Sequence, residues 1–491
     1  MDPLLHRRNL LRVFAGAAAG LGLGALAGRG ALAAPSSPTA PPPPGGDVMV
    51  GDVPSVPAPP ADWRAVAADV RAEFRWAWRH YAERALGRDQ IKPVSGGHED
   101  FFAQGHPVGL TAVEALDTLW LMGLDTELEQ AVEWIEGNLR FDIDAPFQVF
   151  ETNIRMLGGL LSGYHCTGRE RLLDLAVDLA DRLLPAFTRS PSGVPYRYVN
   201  LATGQVGQPE TNLAETGTYI AEFGTLSRWT GRSRYYEVAK RAFEVTFTRR
   251  SSLDLLPYAV HAETGEWLNR VATVGPPADS YYEYLWDGHA LFGDPDLRYW
   301  YDVLTAAILR HQAERVDGRL WFAQVDAFTG QVTDRGQSEL ASFYAGLLAE
   351  SGLVAEGRAY HDSWNVVQDR YGVLPEGIDY TTLGATWRGN QLRPEFVDSA
   401  LFLWLSTGDE IYRWRAWVHY AHMKRTSRAR YGYTVLDDVT TTPPRQGDSC
   451  PGYWWSEQTK YYWLMFGDVR RFDYRDHYLS TEGNLLRGAV H

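Results

Sequence analysis

Glu151, Glu215, Asp279, Glu283, Glu339, Glu395 and Glu457 each fall some ten to seventeen residues before a glycine that closes an apolar run. A carboxylate buried without compensation costs several kcal/mol, so acids repeated in this way need partners or a ligand. Arg155 and Arg393 stand close in sequence to Glu151 and Glu395 and are natural counter-ions. Carboxylates set in pairs can give and take protons. Ringed by aromatic loops, they suit a hydroxyl-rich ligand such as a sugar, with a metal or water sharing the charge. For any one acid, a helix cap or a plain ion pair would be the ordinary job, but seven at matching positions are hard to reduce to that.

The glycines supply the frame that would position these acids. Apolar runs end at Gly123, Gly168, Gly231, Gly293, Gly352, Gly408 and Gly467, and each is read as a helix C-cap after which a polar-faced segment begins. The intervals, 45 to 63 residues, hold a helix, a long connection and a second helix. Thr126 with Glu129, Thr167 with Glu170 and Thr407 with Glu410 have capping-box spacing, which predicts that the second helix starts at once. Segments before the glycines, such as Leu401 to Leu405, are apolar all round and should be enclosed. Segments after them, with Leu128, Val132, Ile135 and Leu139 on one stripe, should form an outer shell. The expected fold is all-α: an (α/α)7 barrel of seven inner and seven outer helices. A linear solenoid is the rival, but it needs polar ends, and the last apolar run, Tyr461 to Phe466, is no more polar than the others.

Connections from outer to enclosed helices are long and the reverse ones short, so the long loops should emerge on one face, where sites are built. Three carry a Thr-Gly turn between strand-like runs, at Tyr196–Val206, Tyr258–Trp267 and Trp321–Val332, and predict β-hairpins there.

The chain has 491 residues, 45% of them hydrophobic, and a net charge of −14, which argues against nucleic acid and anionic lipid as partners. Residues 1–34 read as a twin-arginine-type export signal, with Arg7 and Arg8 before an Ala- and Gly-rich apolar stretch and Ala31-Leu32-Ala33 as a cleavage site. Residues 35–61 read as a proline-rich linker and 62–491 as the barrel. A periplasmic or extracellular location follows, without stable membrane insertion after cleavage. Cys166 and Cys450 should lie toward opposite ends of the ring and stay free thiols. Oligomeric state is not readable.

Several separate runs, in order, carry a family likeness: Ala115-Leu116-Asp117-Thr118-Leu119, Phe150-Glu151-Thr152-Asn153-Ile154-Arg155, Asp279-Ser280-Tyr281-Tyr282-Glu283-Tyr284, Leu392-Arg393-Pro394-Glu395 and Asp437-Asp438-Val439. From about residue 63 to 488 the chain resembles glycoside hydrolase family 47, the class I α-1,2-mannosidases and the mannosidase-like proteins of endoplasmic-reticulum degradation. The resemblance implies an exo-acting, inverting, calcium-dependent hydrolysis of terminal α-1,2-linked mannose from glycans or mannan. It implies Glu151 as general acid, acting directly or through a water, Glu395 as the base for the attacking water, and Asp279 as a further catalytic acid. Thr481 would be the Ca2+ ligand. Arg155, Glu222, Glu283, Arg393, Asp398, Tyr453, Glu457 and Glu482 would bind the mannose-containing oligosaccharide, Tyr453 by packing on the ring.

The chain departs from the family pattern in places. Glu339 stands where processing members have histidine, Pro277 where many carry an arginine, Asp398 replaces a glutamate, and Gly483-Asn484 replaces Ala-His. Two alternatives follow: a mannose-glycan binding protein of the same fold with impaired catalysis, or an inverting α/α-barrel hydrolase of another α-linked sugar.

Overall fold

Enclosed helices that end at a glycine alternate with one-sided helices from Trp63 to Phe466, within residues 62–491, the part of the chain described by this computed structural model. The signal and linker readings of residues 1–34 and 35–61 lie outside the described residues. The outer helices are α1 (Trp63–Ala85), α3 (Asp125–Asn138), α5 (Glu170–Leu183), α7 (Arg234–Phe247), α9 (Pro295–His311), α11 (Val354–Tyr371) and α13 (Glu410–Ser427). The inner helices lie between them, several in two or three pieces. They are α2 (Leu110–Glu114 and Leu116–Leu121), α4 (Val149–Glu151, Thr152–Leu157 and Gly158–Thr167), α6 (Leu213–Gly217 and Ile220–Thr230), α8 (Asp279–Phe292), α10 (Glu339–Phe343 and Tyr344–Glu350), α12 (Glu395–Thr407) and α14 (Trp454–Gln458 and Thr459–Phe466).

Patterning explains the two layers. In α5 the buried residues Leu172, Leu175, Ala176, Leu179, Ala180 and Leu183 form a single stripe, whereas in α10 every residue from Tyr344 to Ala349 is buried. Successive inner helices pack on one another and α14 packs on α2, so the ring closes. The expected (α/α)7 barrel is the observed fold.

Closure is made differently from the expectation. Six of the glycines are left-handed, but Gly467 is extended (φ −82°, ψ 163°) and no outer helix follows it. The seventh outer helix is instead α1, at the start of the barrel, and α14 packs on it across the seam. The capping boxes are also corrected. Leu124, Arg169 and Asp409 hold the N-cap positions, and only Asp409 caps with its side chain. Thr167 and Thr407 serve the helix before: each donates to the carbonyl four residues back, at 2.6 Å, and accepts an amide from two residues ahead. A hydroxyl on the last turn meets a free carbonyl of its own helix before it can reach the next one.

The hairpins form where expected: Tyr198–Asn200 pairs with Val206–Gly207, Val260 bridges Trp267, and Gln324–Asp326 pairs with Val332–Asp334. The first two join small sheets whose strands Pro146–Gln148 and Glu210–Asn212 run directly into α4 and α6. The third pairs with Val271–Ala272, and Gly336–Ser338, in a separate sheet with Gly377–Asp379, runs into α10. This places the acidic starts of the inner helices at the loop face. Cys166 and Cys450 are buried and free, and burial raises both thiols.

At the glycine end, the hairpin Tyr478–Leu479/Leu485–Arg487 enters the ring, with Arg487 bonded to the carbonyl of Ala290 near the end of α8. Its tip, Thr481 to Asn484, is held from several sides. Asn484 Nδ2 donates to the Ile154 carbonyl at 2.8 Å, in the π-helical turn Thr152–Leu157 of α4. The tip comes so close to α4 that a Cβ on Gly158 would lie 2.4 Å from Asn484 Nδ2. Gly483 has φ +67°, and a Cβ there would meet the Ser456 carbonyl at 2.9 Å. The departure from Ala-His to Gly483-Asn484 thus fits this docking.

Candidate active site

The inner ring encloses a cavity of about 240 Å3 between the loop face and the hairpin tip. It is lined by Glu151, Arg155, Asp279, Glu283, Arg393, Glu395, Asp398, Tyr453, Glu457, Thr481 and Glu482, together with the apolar Phe150, Ile154, Leu340 and Phe343. Of the site residues picked out from sequence, only Glu222 is absent from the wall. It is fully buried one layer back, accepting from Asn153 Nδ2 at 2.9 Å and from the Tyr284 hydroxyl at 2.7 Å. Two members of the expected acid ring also fall outside. Glu215 pairs with Arg197 at 3.0 Å and with Gln148, and Glu339 is wholly buried behind the wall, with Asn390 donating to it.

Arg155 ties three acids together. Its Nε donates to Glu151 at 2.6 Å, and its Nη1 donates to Glu114 and to Glu482, each at 3.0 Å. Burial works against its charge, but Glu482, Glu151 and Glu114 outweigh it and raise its pKa well above the ordinary arginine value. Glu151 therefore sits at the mouth in a fixed orientation on the last residue before the π-helical turn. Across the cavity Arg393 donates to Glu376 at 3.1 Å. Glu376 also accepts the Gln391 amide at 2.7 Å, and the Tyr453 hydroxyl donates to the Gln391 carbonyl at 2.7 Å. Glu395, the first residue of α12, keeps one buried carboxylate oxygen without a partner among the described residues.

Burial pushes Glu395 up to about 7 against the pull of Arg393, and Asp279 up to about 6. Burial likewise raises Glu283, opposed by a hydrogen bond from Thr481, and raises Asp398 and Glu457, where neighbouring carboxylates add to the effect. So many acids around one space repel each other and favour protonation unless a cation joins them. Among the described residues no group of three or more His, Cys, Asp or Glu side chains is arranged to enclose a metal. The side chains on the cavity wall beside Thr481 that could ligate a cation, among them Glu283, Asp398, Glu457 and Glu482, all offer oxygens, and Glu395 has a buried oxygen to spare, which fits a hard cation that draws most of its ligands from water and sugar hydroxyls.

These shifts fix a sign for stability. A carboxyl whose pKa is raised by folding contributes stability below its ordinary value and loses it as pH rises through its folded value. With Asp279 at about 6, Glu395 at about 7 and Glu222 at about 8, the cation-free protein should be most stable near pH 5 and weaken toward pH 8. Melting temperatures taken from pH 5 to 8 in chelator, then in calcium, should show calcium stabilising most at the alkaline end. Equal stabilisation across that range would contradict the electrostatic account.

Sequence reasoning missed Glu114, Glu376, Lys460 and the role of Asp117. A signal was present for three of them, since Glu114, Asp117 and Lys460 are charged residues within otherwise enclosed helices and so demand partners. Glu376 lies in a loop, where nothing in the sequence separates it from a solvated acid.

A closed ring of helix pairs, with acids gathered at one end and a plug at the other, defines a sugar-processing α/α barrel. Residues 73–488 match glycosyl hydrolase family 47, and the chain belongs to that family and is a glycoside hydrolase. It is 33% identical over 450 residues to alpha-mannosidase I MNS4 of Arabidopsis thaliana, covering 87% of this chain and 70% of that one. It is 30% identical over 466 residues to mannosyl-oligosaccharide 1,2-alpha-mannosidase IA of Sus scrofa, covering 89% of this chain and 70% of the relative. The solved alpha-1,2-mannosidase from Trichoderma reesei superposes with a TM-score of 0.78 at 25% identity, covering 87% of this chain and 99% of that one.

Proposed function

We propose that the protein is an exo-acting, inverting, calcium-dependent α-1,2-mannosidase that removes terminal mannose from glycans or mannan. The observation that carries this reading is the gathering of Glu151, Asp279 and Glu395 on one small cavity floored by the Thr481 hairpin. At about 240 Å3 the cavity falls below the usual range for whole small-molecule ligands, and its plugged floor stops a chain from passing through, so one terminal sugar enters. The mannosidase relatives supply the choice of sugar.

In this reading Glu395 takes a proton from water as that water attacks the anomeric carbon from the face opposite the leaving oxygen. A base with a pKa near neutrality suits this task. Glu151, oriented by Arg155, gives its proton to the leaving oxygen, directly or through a water, and Asp279 is a further catalytic acid. The product is the β-anomer, with one proton withdrawn from water and one delivered to the leaving hydroxyl. Glu283, Arg393, Asp398, Tyr453, Glu457 and Glu482 bind and orient the sugar, while Glu222 supports them from behind. Thr481, with the nearby carboxylates, would hold Ca2+, and the ion would supply a grip on sugar hydroxyls. Export through the amino-terminal signal belongs to the same proposal; no helix of the described residues is long and apolar enough to cross a membrane.

Anomeric proton NMR with α-1,2-mannobiose tests the reading. Release of β-mannose that stops with a chelator and returns with calcium is expected. Initial release of α-mannose, or turnover indifferent to the chelator, would overturn it, and binding without release would favour the impaired glycan-binding alternative.

A further inference from the structure

Arg155 lies over two aromatic rings, with its guanidinium carbon 5.4 Å from the ring centre of Tyr453 and 5.2 Å from that of Phe101. The two rings differ in exposure: Tyr453 is 8% exposed inside the cavity, whereas Phe101 is 38% exposed. An exposed phenylalanine on a loose loop would mean little. Here the loop is pinned, because the carboxylate of the buried Asp89 accepts the Phe101 amide at 2.9 Å and the Val108 amide at 2.7 Å. The carbonyl of Asp89 in turn accepts the Thr111 hydroxyl at 2.7 Å in the first turn of α2. Phe101 also meets Phe102 edge to face at 5.0 Å, and Phe102 stacks at 5.2 Å on Phe147, in the strand that leads into Glu151. The ring is therefore fixed from two directions.

This placement bears on the mannosidase reading, on which the inference rests. A general acid must reach the oxygen of the bond being cut, so the sugar on the leaving side has to lie against whatever surrounds Glu151. Arg155 fixes Glu151, and Phe101 covers Arg155 with a surface still open to solvent. The cavity takes one sugar, so its neighbour lies outside, where a pyranose ring can lay its C–H face on an aromatic one. We propose that Phe101 is a specificity-determining residue that forms the stacking platform for the hexopyranose on the leaving side of the cut bond.

Calorimetry on calcium-loaded Glu395→Gln protein separates this from the wider reading. Methyl α-mannoside probes the cavity alone, and methyl α-1,2-mannobioside probes cavity and platform together. Adding Phe101→Ala should leave the one-ring ligand within twofold and weaken the two-ring ligand about fivefold to tenfold, with Phe101→Trp restoring it. If Phe101→Ala leaves both ligands unchanged or weakens both equally, Phe101 is no platform although the mannosidase reading stands. If neither ligand binds the Glu395→Gln protein, both readings fail.

Discussion

Replacing Glu395 with glutamine is expected to lower turnover of α-1,2-mannobiose by about a thousandfold, within the span of 10² to 10⁴ general for proton-transfer catalysts, while the sugar still binds. Glutamine keeps the volume and one oxygen but cannot take a proton from water. The site is forgiving of this change in every other respect. Glu395 has a buried oxygen without a protein partner, and its neighbour Arg393 keeps its bond to Glu376. Losing the charge removes repulsion from Glu376 and Asp279, so the variant should melt no lower than the parent in chelator. Steady-state rates, ligand binding and melting measured on one preparation make the test complete. A variant that keeps a tenth of its activity would move the base elsewhere, and Asp279, raised by burial and lining the same cavity, would be the next to examine.

The ring could be read from the chain because glycine closure leaves a signature that repeats. A left-handed residue at the end of an apolar helix is nearly always glycine, so six of the seven marks were structural. The seventh failed because Gly467 ends the last inner helix, where the chain leaves the repeat and no partner helix remains to turn into. That α1 supplies the missing outer helix is a property of closure, which no single repeat encodes. The acids were legible as a set by position, yet position could not sort them. Glu215 and Glu339 share the spacing of Glu151 and Glu395 but turn away toward Arg197 and Asn390, a difference decided by side-chain partners far apart in sequence. Glu114 escaped notice for the same reason, since its partner Arg155 lies 41 positions away.

The largest stability effect should come from Lys460. Its ammonium is wholly buried, bonded to Asp117 at 2.7 Å and to the Gly483 carbonyl, and Asp117 is 1% exposed. The same carboxylate accepts the Ser162 hydroxyl at 2.6 Å and the Leu485 amide at 2.8 Å, so one ion pair joins α2, α4, α14 and the stretch of the hairpin just after Thr481. Breaking a buried pair by removing one partner costs about 3–5 kcal/mol, because the other charge stays buried. Lys460→Met should therefore lower the melting temperature by about 3–6 °C for a barrel of this size. Pairing it with Asp117→Leu removes the orphaned charge and should recover part of the loss, the coupling being read from the double-mutant cycle. A purely structural pair would affect melting alone. Because this one anchors the turn that carries Thr481, Lys460→Met should also weaken calcium binding, measured as competition with terbium luminescence at a temperature where the variant stays folded. Unchanged melting would mean that the pair is not buried in solution, and unchanged cation affinity would uncouple the hairpin from the site it floors.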